Sequence, residues 1–132
     1  MERWAAHPGG VCEIRYHFVW CPKFRRPVLT DAIAVRLDAV LRTICAELRA
    51  EVMALEIMPD HVHLLVRMSD TKLAPAQIAF RLKGGSSRIL RREFPSLRSR
   101  LPTLWSRSYY VGTVGAVSKS VIERYIAAQK GR

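Results

Sequence analysis

Hydrophobic and polar residues alternate from Val11 to Trp20, with Ile14, Tyr16, Phe18 and Trp20 on one face and Arg15, His17 and Val19 on the other. That two-residue period, in a run rich in β-branched and aromatic side chains, predicts a first strand. The period then lengthens. Ile33, Leu37, Val40, Leu41, Ile44 and Leu48 recur at three- and four-residue steps, which predicts a helix from a Thr30 or Asp31 cap to about Ala50 with one stripe in the core. Residues 51 to 58 return to strand character, and Pro59-Asp60 predicts a tight turn into a further strand containing His61-Val62-His63-Leu64-Leu65-Val66.

A second helix is expected from Pro75, with Ile78, Leu82, Ile89 and Leu90 as its apolar side. Gly84-Gly85 should either kink it or let a ligand approach the backbone closely. Leu104 to Val111 reads as another strand, and Gly112-Thr113-Val114-Gly115 as a hinge. A terminal helix follows, starting at Ser118 or Ser120, the latter at capping-box spacing from Glu123. Residues 1 to 10, with Pro8-Gly9-Gly10, suggest a flexible lead-in. The order β-α-β-β-α-β implies an α+β, ferredoxin-like fold with an antiparallel sheet and helices on one face. We expect one domain over residues 1–132, ending in a helical arm at 116–132.

Composition changes this picture through charge alone. Hydrophobic content of 49% and charged content of 25% are ordinary, but 22 Lys and Arg against 11 Asp and Glu leave a net charge of +11. A polyanionic partner is implied, and nucleic acid is favoured over a membrane because no uncharged apolar run approaches spanning length. From residue 81 to residue 107 there are eight basic residues and a single acid, Glu93. Cys12, Cys21 and Cys45, odd in number and without CxxC spacing, suit reduced thiols of a cytoplasmic protein.

Candidate chemistry centres on His61 and His63, which project from the same face of their strand. Two imidazoles side by side are half of a divalent-metal site, but on spacing alone they read more readily as ordinary strand histidines, partly exposed or hydrogen-bonded at a sheet edge. On the terminal helix, Tyr125 and Gln129 lie four residues apart and share a face, offering a phenol and an amide oxygen. Taken alone, that helix also reads as an amphipathic stripe in which Tyr125 joins Val121 and Ile122. Tyr109 and Tyr110 are rival nucleophiles in an aromatic strand. Asp60 reads as a turn residue that could also support His61.

In combination these pieces resemble the single-tyrosine HUH transposases of the insertion-sequence 200/605 type. The likeness is carried by Tyr16-His17-Phe18-Val19-Trp20-Cys21-Pro22-Lys23-Phe24-Arg25-Arg26-Pro27-Val28-Leu29, by Met58 to Val66, by Leu82-Lys83-Gly84-Gly85-Ser86-Ser87, and by Val121 to Gln129. It departs at Gly85, where the family often carries a larger residue. The resemblance implies a DNA transposase that cuts and rejoins single-stranded DNA at hairpin-bearing ends of a mobile element through a 5′-phosphotyrosine. It implies Tyr125 on the extra C-terminal helix as nucleophile, and His61, His63 and Gln129 as metal ligands for Mg²⁺, with Mn²⁺ a suitable substitute. A homodimer, with active sites possible in trans, is implied too. Lys23, Arg25, Arg26, Lys83, Arg88, Arg91 and Arg92 are the expected DNA-binding residues. Two other readings are a domesticated relative acting on repeated palindromes, and a non-catalytic single-stranded nucleic-acid-binding module of the same fold.

Overall fold

In a computed structural model, which describes residues 5–7, 10–12, 14–69, 72–113 and 119–132, alternation along the chain becomes a two-sided sheet. Its central strands are β3 (Ile14–Trp20) and β5 (His61–Met68), flanked by β4 (Ala50–Met58) and β6 (Tyr110–Thr113), in the order β4-β5-β3-β6 with every pairing antiparallel. This is the α+β, ferredoxin-like arrangement that the sequence predicts. Helices α1 (Asp31–Glu47) and α2 (Pro75–Glu93) cover one face. Their Leu37, Leu41, Ile78 and Leu82 pack with Phe18, Trp20, Val62, Leu64 and Val66 in a single buried core.

Along β5 burial alternates residue by residue: Val62, Leu64, Val66 and Met68 are buried in the core, while His61, His63, Leu65 and Arg67 lie on the other face. The hairpin turn at Pro59-Asp60 sets the register, pairing Met58 with His61 and Glu56 with His63. A one-residue slip would put the imidazoles in the core and Val62 outside, so the apolar side of β5 fixes where the histidines point.

Several expectations need correction. Residues 1–10 are not wholly a flexible lead-in, because β1 (Ala5–His7) pairs with β2 (Gly10–Cys12). The first strand of the main sheet accordingly starts at Ile14 rather than Val11. The strand expected over Leu104–Val111 contracts to Tyr110–Thr113, preceded by an isolated bridge between Pro22 and Trp105. Around that bridge the Lys23 amide donates to the Leu104 carbonyl and the Ser106 amide to the Cys21 carbonyl, at 2.8 and 3.0 Å. The carbonyls of Ser106, Arg107 and Ser108 then turn to Lys83, which donates to them at 2.8, 3.1 and 3.1 Å.

Gly84-Gly85 does not interrupt α2. A Cβ on Gly85 would lie 2.9 Å from Ile44 Cδ1, so the close approach it permits is that of α1. A short helix α3 (Pro95–Arg100) follows, unanticipated from the sequence. Of the expected hinge, Gly112 and Thr113 are paired in β6 with His17 and Tyr16, and Val114 and Gly115 lie outside the described residues. Ser118 also lies outside them; α4 (Lys119–Ala128) places Ser120 inside its first turn rather than at its cap. Among the described residues no helix is long and apolar enough to cross a membrane.

The two glycines separate experimentally. Nothing lies within 4 Å of a Cβ on Gly84, so Gly84→Ala should stabilise the protein by about 0.5–1 kcal/mol through helix propensity. Gly85→Leu should destabilise it by about 1–3 kcal/mol, because Ile44 must be displaced. Chemical denaturation checks both, and equal effects at the two positions would contradict the packing described.

Candidate active site

The outer face of the sheet gathers three imidazoles. His61 and His63, two apart on β5, have ring centroids 5.2 Å apart. His17, from β3, lies diagonally across from His63, with its ring centroid 5.1 Å away and its Nε2 3.1 Å from His63 Nδ1. His61 Nδ1 is held in turn by Asp60 Oδ1 at 2.8 Å. Both β5 imidazoles therefore have Nδ1 engaged, which leaves Nε2 as the atom each can offer to a cation. Burial pushes the pKa of His17 and of His63 below the ordinary value, with neighbouring imidazoles adding to the effect at His63, and the Glu56 charge opposes the shift at both. Both are neutral at physiological pH, the form in which an imidazole can bind a metal.

Asp60 is more than a turn residue. Its second oxygen meets Arg25 Nε at 3.2 Å, and Arg25 Nη1 donates to the Ile126 carbonyl of α4 at 3.4 Å. Arg25 sits in a short 3₁₀ turn after β3, with positive φ at Phe24 (59°) and Arg25 (51°). Left-handed backbone at two consecutive non-glycine residues is costly and persists only where the surroundings impose it. Here it accompanies an arginine that links the histidine turn to the terminal helix.

On α4, Tyr125 and Gln129 face the segment before β6. Ser108 Oγ donates to Gln129 Oε1 at 2.9 Å and lies 3.0 Å from Tyr125 Oη. A serine hydroxyl has one hydrogen, so with that hydrogen on the glutamine the phenol donates to the serine. Ser106 Oγ also donates to Gln129 Oε1, at 3.4 Å, and Gln129 is 3% exposed. The Tyr110 ring packs 6.2 Å from that of Tyr125. Burial pushes the Tyr125 phenol up to about 12, against the Ser108 hydrogen bond, which lowers it. At neutral pH Tyr125 carries its proton.

The predicted residues thus form two groups, His61 with His63 and Tyr125 with Gln129, connected through Asp60 and Arg25. Among the described residues no three His, Cys, Asp or Glu side chains are gathered so as to hold a metal ion. A cation on the histidines would need oxygen ligands of another kind, of which the Gln129 amide is one.

The basic residues divide as well. Arg25 faces Asp60 and α4, and Lys83 spends its ammonium on three carbonyls and lies 5.6 Å from the centre of the Tyr109 ring. Burial pushes Lys83 down to about 8, and the carbonyls favour its charged form. Lys23 lies over the Phe24 ring and Arg26 is exposed. Arg88, Arg91 and Arg92 line a shallow concavity with Gly84, Ser87 and Arg98, the last supplied by α3. His17, Ser106, Ser108 and Arg98 were not singled out from the sequence. His17 alone had a readable signal, its place on the outer face of its strand.

The polar anchoring of α4 is measurable. Replacing Ser106 and Ser108 together by Ala removes two hydrogen bonds to a buried amide and one to the phenol. Amide exchange across Tyr125–Gln129 should then accelerate roughly five- to thirtyfold, about 1–2 kcal/mol of lost protection, as followed by hydrogen–deuterium exchange. Unchanged exchange would mean that other contacts hold the helix.

Comparison with known proteins places this geometry in a family. The model of the family described as "Transposase IS200 like" matches residues 10–129. The ISDra2 transposase TnpA of Deinococcus radiodurans is 37% identical over 123 residues, covering 92% of this chain and 87% of the relative. The transposase for insertion sequence element IS200 of Salmonella typhimurium is 31% identical over 130 residues, 97% of this chain and 83% of the relative. A crystal structure of a Deinococcus radiodurans R1 protein assigned as a transposase superposes with a TM-score of 0.88 at 35% identity, covering 97% and 99% of the two chains. A REP-associated tyrosine transposase bound to a REP hairpin shares the fold, with a TM-score of 0.58 at 11% identity over 96% of this chain and 68% of that one. The chain belongs to the IS200-like family of DNA transposases.

Proposed function

We propose that this transposase cuts and rejoins single-stranded DNA at hairpin-bearing ends of a mobile element, with Tyr125 as nucleophile and a divalent cation held by His61, His63 and Gln129. The observation that carries the reading is the pairing of two groups. Two imidazoles with Nδ1 engaged stand on one strand face, and a phenol and an amide oxygen stand on one helix face, joined through Asp60 and Arg25.

The donor set fits such a cation. Nε2 of His61 and His63 supplies two nitrogens and Gln129 Oε1 an oxygen, a mixture that suits Mn²⁺ comfortably and Mg²⁺ when water and phosphate oxygens complete its shell. When bound, the cation would neutralise charge on the scissile phosphate. Gln129 Oε1 now accepts from Ser108 and would exchange that hydrogen bond for the cation.

Tyr125 Oη attacks phosphorus, the bond from phosphorus to the 3′ oxygen breaks, and the phenol proton is lost as the 3′ oxygen gains one. The product is a 5′-phosphotyrosine and a free 3′-OH. Attack by a second 3′-OH reverses the exchange: a phosphodiester forms and the phenol leaves protonated. One ester replaces another in each half, so rejoining needs no nucleotide cofactor. With the phenol pushed up to about 12 by burial, little phenolate exists at neutral pH before substrate arrives. Relieving that burial is therefore part of activation.

DNA contact falls to the remaining cations. Exposed Arg88 and Arg92, joined by Arg98, are the group best disposed for phosphates, with half-buried Arg91 beside them tied to the Leu101 carbonyl, and Lys23 and Arg26 flank Arg25 in its turn. Arg25 and Lys83 act instead by holding the site together. A homodimer sharing its terminal helices belongs to the same proposal.

Incubation with labelled single-stranded hairpin DNA and Mn²⁺, followed by denaturing electrophoresis, tests the chemistry. A covalent protein–DNA band should form, vanish in Tyr125→Phe and vanish on chelation of the metal. Persistence in Tyr125→Phe with loss in Tyr109→Phe or Tyr110→Phe would move the nucleophile. In the same assay, mixing His61→Ala chains with Tyr125→Phe chains should restore cleavage where sites are shared between subunits; no recovery would confine each site to one chain.

A further inference from the structure

We infer that His17 is a positioning residue for His63: it accepts the Nδ1 hydrogen of that imidazole and so turns Nε2 outward to a cation. The inference rests on the metal-dependent reading above and extends it to a residue outside the ligand set.

An imidazole–imidazole hydrogen bond needs one N–H and one lone pair, so the 3.1 Å contact between His17 Nε2 and His63 Nδ1 has two possible polarities. If His17 donates, His63 carries its hydrogen on Nε2 and cannot bind a metal through that atom. If His63 donates, its Nε2 lone pair faces outward and His17 carries its own hydrogen on Nδ1. Only the second polarity is compatible with His63 as a ligand. The same logic applies to its neighbour, where Asp60 Oδ1, a carboxylate oxygen, accepts the hydrogen of His61 on Nδ1. The two β5 imidazoles are therefore supported from different places, one by its own hairpin turn and one by the adjacent strand.

Register makes the support rigid. Val19 stands opposite His63 and His17 opposite Leu65, so the two imidazoles are diagonal neighbours on one face of paired central strands. His17 is not placed as a third ligand. Its Nε2 is aimed at the back of the His63 ring, and among the described residues no three such side chains converge in metal-holding geometry.

The test is metal binding by the full chain without DNA. Free Mn²⁺ is followed by electron paramagnetic resonance in the unaltered protein and in His17→Ala, His17→Gln, His61→Ala and His63→Ala. His17→Ala should bind roughly ten- to a hundredfold more weakly, while His17→Gln, which keeps an acceptor oxygen, should stay within about threefold. Equal affinity of His17→Ala and the unaltered chain would overturn the inference, as would an equal loss in His17→Gln, which would make the ring's packing the cause. Losses at His61 and His63 with none at His17 overturn this inference alone; no loss at His61 and His63 removes the metal site and the inference with it. Should His17→Ala fail to fold, long-range ¹H–¹⁵N spectra of the unaltered protein with Mg²⁺ still decide. They should show the His63 hydrogen on Nδ1, and a hydrogen on Nε2 contradicts the assignment.

Discussion

The structure depends on strand β5 being buried on one side only. Val62, Leu64 and Val66 are fully buried among α1, α2 and the inner face of β3, and each apolar side chain of that size contributes about 1.5–3 kcal/mol when fully removed from water. The period of two then leaves His61 and His63 no choice of side. Because β5 is central, with hydrogen-bonded neighbours on both edges, the histidines stand on a backbone that cannot slide. That is the support the proposed metal site would need: its two imidazoles on a rigid element, each with Nδ1 held by a partner.

The other half of the site is attached differently. The described contacts of α4 are dominated by polar ones, from Ser106 and Ser108 to Gln129 and Tyr125 and from Arg25 to the Ile126 carbonyl, with the Tyr110 ring alongside. Hydrogen bonds of this kind are worth about 1 kcal/mol each net and exchange readily for others. In the proposed reaction, a helix held this way would deliver Tyr125 to a phosphate and release it again. Lys83 supports the arrangement from within the fold, since by gathering three carbonyls it shapes the segment that presents Ser106 and Ser108. The neighbouring Ser86 takes the Trp105 indole hydrogen at 3.0 Å, fixing the same segment from beneath.

How legible this was in the sequence varies with range. The alternation in β3 and β5, the stripe in α1 and the order of elements are local patterns, and the sheet and its helices follow from them. The family was readable from motifs in their order. Gly84-Gly85 misled because a helix break and a helix–helix contact use the same residue, and only the position of Ile44 distinguishes them. The Leu104–Val111 segment misled because aromatic content signals a strand, whereas Lys83, some twenty residues earlier, diverts its carbonyls. His17 is the instructive omission. Its face was clear, but its significance depends on β3 pairing with β5 in a particular register, a long-range fact that no local pattern carries. Arg25 and Lys83 read as phosphate grips from their charge, and their engagement with Asp60 and with carbonyls is likewise tertiary.

The proposed metal site, in which strand β5 offers a cation two imidazole Nε2 atoms, is tested most directly by crystallography: crystals of the full chain equilibrated with Mn²⁺ and measured for anomalous scattering. One strong peak is expected at bonding distance from Nε2 of both His61 and His63, with Nδ1 of each still turned to Asp60 and His17. A peak elsewhere, or coordination through Nδ1, would contradict it.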